Sequence, residues 1–186
     1  MYSASLSDFE GVLSKHIDKD FKIFPAGNDA PKEQTFSEFE DQIGFPLPDD
    51  FRMFSCSWLG GVYIEVKEEV WPRHKEYAVG PYWSFLYGMF VYALSPKAPD
   101  WMSIEGKIPW FREHTGTNYV PFLKLIGVAD IYCFDEAGDV RRWDHETGEA
   151  PLQNKTFFEV FSYEVAELKG RKEQKKALLK SKHDSK

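Results

Sequence analysis

The sequence predicts an α+β fold: an antiparallel sheet of about five to six strands, packed by N-terminal helices and a C-terminal helix. Three observations predict it. Apolar residues recur at helical spacing through the first third of the chain. The period then shortens to the alternation of strands, and after Thr156 it lengthens again. Helices grouped at one end and strands grouped in the middle argue for helices on an antiparallel sheet rather than βαβ units.

The first helix is expected over residues 5–17. Leu6, Phe9, Leu13 and Ile17 fall near one face, and Ser7 with Glu10 fits a capping box. Residues 25–34, with Pro25, Gly27, Asn28, Asp29 and Pro31, read as a loop. Thr35 and Glu38 form a second capping box, and Phe36, Phe39 and Ile43 mark the face it buries. Gly44 ends that helix. Pro48 opens a third, at the position where a missing N–H costs nothing, with Asp49 and Asp50 beside its positive end. Leu47, Phe51, Phe54 and Trp58 make one stripe, and Gly60-Gly61 is the stop.

Val62 to Val66 alternates as a strand, and Tyr87 to Leu94 is rich in aromatic and β-branched residues. Residues 67–86 carry no clear period. Residues 95–119 read as loop, with a short helix around Trp101. Tyr119 to Leu125 and Asp130 to Asp135 are strands, and Val140 to Asp144 returns after a turn at 136–139. Thr156 and Glu159 form a third capping box, opening a helix that buries Phe157, Phe161, Val165 and Leu168. The lysine-rich end after Leu168 has little left to bury, so the packed domain is expected to span residues 1–168. Residues 169–186 are then a basic tail, a frayed helical extension or disorder.

Bulk properties exclude several classes. With 16 Phe, 9 Tyr and 6 Trp in 186 residues, the chain can fill a core without disulfides or metals. Two cysteines, Cys56 and Cys133, do not make a secreted disulfide framework, and packed reduced thiols in a cytoplasmic protein are expected. No apolar run is long enough to span a membrane, and no secretory leader is visible. The net charge of −7 hides an asymmetry. From Lys169 onward there are eight basic and two acidic residues, against 23 and 30 in the whole chain, so the body carries about −13 and the tail about +6. Such a body repels phosphate backbones and suits a basic protein partner, although the same acidity also serves solubility.

The string from Phe39 to Phe54, with Ile43-Gly44, Leu47-Pro48 and Phe51 inside it, resembles the opening signature of the SUKH superfamily. Gly60-Gly61 matches the glycine pair that the family places before its first strand. Leu59 stands where the family often has Asn. The stretches Phe122 to Asp135, Trp143 to Glu146 and Thr156 to Phe161 resemble later family segments, so the likeness touches roughly residues 35–66 and 120–165. Ile43, Gly44, Leu47, Pro48, Phe51, Gly60 and Gly61 are read as scaffold. The resemblance implies a non-enzymatic binding protein: an immunity protein that binds and blocks a cognate toxin, or a scaffold of the cell-wall-synthesis-regulator type; the acidic body adds the expectation that the toxin is basic and of the nuclease type. No cofactor and no metal are expected, and the chain is expected to be a monomer or weak homodimer.

Partner contacts are expected where aromatic anchors mix with charge, at Glu65, Glu68, Glu69, Trp71, Glu76, Tyr82 and Trp83, and on the acidic hairpin at Asp135, Glu136, Asp139 and Asp144. A hydrolase using the cluster from Asp135 to His145 is the alternative from another class, because paired carboxylates with an imidazole suit acid–base or metal chemistry. No His-Glu-x-x-His, Cys-x-x-Cys or phosphate-binding glycine loop supports it.

Overall fold

The computed structural model describes residues 4–26, 30–74 and 82–184, without the side chains of 82, 83 and 182–184. Its elements run α1 (Leu6–His16), β1 (Phe21–Pro25), α2 (Glu33–Ile43), α3 (Asp49–Ser55), β2 (Val62–Val66), β3 (Gly88–Val91), α4 (Ile104–Thr115), β4 (Val120–Leu125), β5 (Ile131–Phe134), β6 (Val140–Trp143) and α5 (Phe157–Asp184). The six strands pair in chain order, β1-β2-β3-β4-β5-β6, and every pairing is antiparallel. The expected α+β class, with N-terminal and C-terminal helices on an antiparallel sheet, is what the structure shows.

One face of the sheet carries α1, α3 and α5, joined by phenylalanine rings. Phe51 lies 5.1 Å from both Phe134 and Phe157, and Phe9 lies 5.0 Å from Phe54 and 5.3 Å from Phe161. Contacts at these separations add to the burial of each ring. The register shift between Pro121 and Leu123 leaves Phe122 without a partner on β5. A proline suits that irregularity because it has no N–H for the ladder. Phe122 stacks on Phe134 at 4.2 Å and meets Phe157 at 5.5 Å.

The opposite face is covered in part by α4. Strand alternation puts Trp143 on the side away from Phe134's face, and there it meets Phe111 of α4 at 5.6 Å. This helix is a correction to the loop expected over 95–119. Ser103 caps it by accepting from Gly106 N, and Gly116, at φ +66°, ends it. Gly106 and Pro109 inside the segment hide the helix from a reading of propensity.

Other boundaries also move. Strand β1 was not expected; it pairs with β2 from Phe21↔Val66 to Pro25↔Val62. The first helix is capped by Ser5, whose N–H donates to Asp8 Oδ2 (2.8 Å), and not by the pair Ser7 and Glu10. Helix α2 starts at Glu33, so Thr35 sits inside its first turn. Helix α3 stops at Ser55. Trp58 therefore lies beyond it, half exposed, donating its Nε1–H to Glu10 at 2.7 Å. Gly61 sits at φ +97°, and a Cβ there would come within 2.5 Å of Ala93 Cβ, so the glycine pair has a packing reason as well as a conformational one.

The expected end of the packed chain at Leu168 moves outward. Helix α5 continues to Asp184, and its first basic turns dock on the α1–β1 connection. Lys172 is fully covered and donates to Asp18 (2.5 Å), with Asp20 at 3.3 Å and Glu173 at 2.9 Å. Lys176 reaches Asp20 at 2.7 Å. No helix among the described residues is long and apolar enough to cross a membrane.

Candidate binding groove

Three segments with unlike local chemistry converge beside the phenylalanine core: the proline turn at 46–48, the β5–β6 turn at 136–139, and the approach to α5 at 155–157. Between them lies a cavity of about 480 Å³. Its apolar walls include Leu47, Pro48 and Val140; its acids are Asp49, Asp50 and Asp139. A smaller cavity of about 230 Å³ adjoins it, sharing Asp139 and Lys155 and adding Leu152 and Glu159.

Each segment is held by a local device. Pro48 O accepts from Phe51 N and Arg52 N, both at 3.0 Å, which starts α3 at the proline. In the hairpin, Asp135 Oδ1 accepts from Ala137 N (3.0 Å) and Asp139 N (2.9 Å), while Oδ2 accepts from Arg141 Nε (2.7 Å). Gly138 completes the turn at φ +80°, and a Cβ there would meet Pro48 at 3.7 Å, so the tip lies close against the proline turn. At α5, Thr156 Oγ1 accepts from Glu159 N and Thr156 N donates to Glu159 Oε2, the capping box that the sequence predicts.

Asp50 ties the groove together. It is 7% exposed. Its Oδ1 accepts from Phe51 N at 2.9 Å and its Oδ2 from Phe158 N at 3.0 Å, so one carboxylate serves the starts of both α3 and α5. Burial raises its pKa above the ordinary value, against the pull of these backbone N–H groups. Asp135 ends on the other side. Burial raises it, but Arg141 and the turn amides win and hold its carboxyl below the usual range. The one lysine on the cavity, Lys155, places Nζ 4.2 Å over the Tyr163 ring.

The expected partner residues divide. Asp139 lies exposed on the groove. Glu136 is exposed on the same turn and accepts from Asn118 Nδ2 at 2.7 Å. Asp135 is buried in its pair with Arg141, so it is no surface contact. Glu65 is also engaged, with Lys22 at 3.5 Å, Arg73 at 3.1 Å and Tyr63 Oη at 2.8 Å. Trp71 is a core ring, 3% exposed, donating to Ser84 O at 3.0 Å, and not an exposed anchor. Glu68 and Glu69 are exposed in the turn after β2. Tyr82 and Trp83 fall in a 3-10 turn with their side chains outside the described residues, and Glu76 lies outside them altogether. Exposed rings appear instead at Phe24 and Trp101, bridged by Tyr63, which lies 6.1 Å from the first and 5.4 Å from the second.

The cluster imagined from Asp135 to His145 does not converge. Asp135 follows β5 at the turn, whereas Asp144 and His145 leave β6 at the open end, about 15 Å away along the strand. There, among the described residues, Asp130, Asp144 and His145 bring donor atoms within 4.8 Å of one another, close enough to hold a metal ion. Its carboxylates are already occupied: Asp130 by Arg142 Nη2 and His145 Nδ1, both at 3.1 Å, and Asp144 by the amides of Glu146 and Thr147. Burial pushes the Cys56 thiol up to about 11, far from a nucleophile's range.

Sequence reasoning treated Asp49 and Asp50 only as helix-end charges. The available signal was an Asp pair directly after Leu47-Pro48, beside a turn rich in Asp. No family model and no curated protein matches the chain.

Proposed function

We propose that this protein is a binding protein of the SUKH type, an immunity protein that neutralises a basic, nuclease-type toxin by occupying its charged surface. The observation that carries the reading is the groove: an apolar-walled cavity with Asp49, Asp50 and Asp139 on it, whose one lysine among the described residues, Lys155, is turned onto Tyr163. A basic loop seated there exchanges hydration for carboxylate contacts, and its apolar stems cover Leu47, Pro48 and Val140. The acidic body speeds encounter with such a partner and aligns it. Inhibition is then steric, with no bond made or broken.

The test is co-expression with a basic, nuclease-type toxin domain, sought beside this gene and by capture from the source cell. The parent chain restores growth, and the double variant Asp49→Lys with Asp139→Lys, folded as judged by its melting curve, does not. Rescue that survives the double charge reversal, or no rescue by the parent, removes this reading.

A further inference from the structure

Four carboxylate side chains are buried among the described residues: Glu40, Asp50, Asp135 and Glu164. Three have a guanidinium inside the protein. Glu40 pairs with Arg52, Asp135 with Arg141 at 2.7 Å, and Glu164 has Arg171 Nη1 at 3.9 Å. Asp50 has none, and no ion pair reaches it among the described residues. It is also the one of the four that lines the cavity. A buried carboxylate without a countercharge is costly, and backbone N–H groups offset only part of that cost.

The remaining valence of Asp50 has a shape. Each oxygen accepts one backbone N–H from a neighbouring residue, and a carboxylate oxygen can accept a second donor. Two adjacent acceptors of one carboxylate match the forked edge of a guanidinium, which binds such pairs in parallel. An ammonium offers one compact, strongly hydrated charge and no fork. Asp49 and Asp139 stand at the same cavity, and Leu47 and Pro48 give a hydrocarbon stem an apolar wall.

We propose that the groove is a receptor for a single arginine side chain of the partner, its guanidinium on Asp50, with Asp49 and Asp139 beside it and its stem along Leu47 and Pro48. The inference rests on the groove being the binding site of the proposed function, and it names the group that fills it. The arginine supplies from outside what Arg52, Arg141 and Arg171 supply within. Raising pH favours the ionised form of Asp50 and therefore tightens the contact.

The experiment is an amide-resolved NMR titration of the full chain with three blocked tripeptides: Gly-Arg-Gly, Gly-Lys-Gly and Gly-citrulline-Gly. The arginine peptide gives saturable shifts at Gly138, Asp139 and Phe158, with a Kd at least about fivefold below the lysine peptide's. The neutral citrulline peptide, of the same shape, binds at least about tenfold more weakly than the arginine one. Asp139→Asn weakens the arginine peptide and leaves the fold intact. Asp50→Asn abolishes the preference for arginine over citrulline; if that variant melts early, the contrast among the three peptides in the parent chain still decides. Equal binding of all three, or no saturable shift at these amides, overturns the proposal. Where the arginine peptide fails but charge reversal at Asp49 and Asp139 still blocks toxin rescue, only the arginine assignment falls. Where charge reversal leaves rescue intact, the proposed function falls with it.

Discussion

The start and the middle of α5 are held by opposite arrangements of charge. At its start, the buried carboxylate Asp50 accepts from Phe158 N and has no ion-pair partner among the described residues. Near its middle, the covered amine of Lys172 is surrounded by Asp18, Asp20 and Glu173. The middle is closed, because the chain supplies the countercharges itself. The start is open, because a buried carboxylate lines a cavity. A closed site serves stability, and under the proposal the open one serves a ligand, since an unmet charge leaves binding energy for a partner.

The largest effect that separates the two regions is expected at Phe157, which meets Phe51, Phe54 and Phe122 while it also lines the groove. Phe157→Ala should cost about 3–5 kcal/mol in urea unfolding, because it leaves a cavity in the ring cluster. A cost within ~1 kcal/mol would mean that this end of α5 is not anchored by its rings.

Lys172→Ala comes next. Its amine is covered, but Asp18 and Glu173 reach solvent, so screening limits the value of the pair to about 1–3 kcal/mol. Lys180→Ala, on the exposed part of the helix, should change stability by less than ~0.5 kcal/mol. Equal effects of the two substitutions in thermal melts would show that the basic end is not docked.

The smallest effect is the sharpest in sign. Asp18 and Asp20 have lowered pKa values in the fold. For Asp18, burial opposes the shift and bonds to Lys172 and the Asp20 amide win; for Asp20, the bond to Lys176 leads. Their contribution is present above the unfolded carboxylate pKa and is lost as pH falls through the folded values. Asp50 is raised by burial, so its stabilising form is the protonated one, and that contribution is lost as pH rises from the ordinary value of 3.8 through its folded pKa. In melts from pH 3 to pH 7, Asp50→Asn should therefore gain on the parent chain as pH rises. The double variant Asp18→Asn with Asp20→Asn should lose ground over the same range. Parallel curves for all three proteins would dissolve the contrast between the two regions.

Much of the fold was legible. The helix at Pro48, the alternation over 62–66 and the Thr156 capping box are local patterns, and the structure keeps each near its expected place. What was hidden had a local disguise. Helix α4 contains Gly106 and Pro109, and β1 is a short edge strand that pairs, among the described residues, with β2 alone. The groove was half legible: Asp139 was marked, whereas Asp135 beside it looks identical in sequence and turns inward to Arg141. Trp71 misled for the same reason, since a core ring and an interface anchor have one composition.

The sequence by itself determined the α+β class, the helices at both ends of the chain with the strands between them, and the acidic body. These follow from periodicity, capping chemistry and charge counts, which act between near neighbours. Only the tertiary structure decided which carboxylates find a guanidinium, where the basic end docks, and which acids face one cavity. Those pairings join residues as far apart as Asp50 and Phe158, or Asp18 and Lys172, and strengths set by burial cannot be read from a chain that has not yet folded.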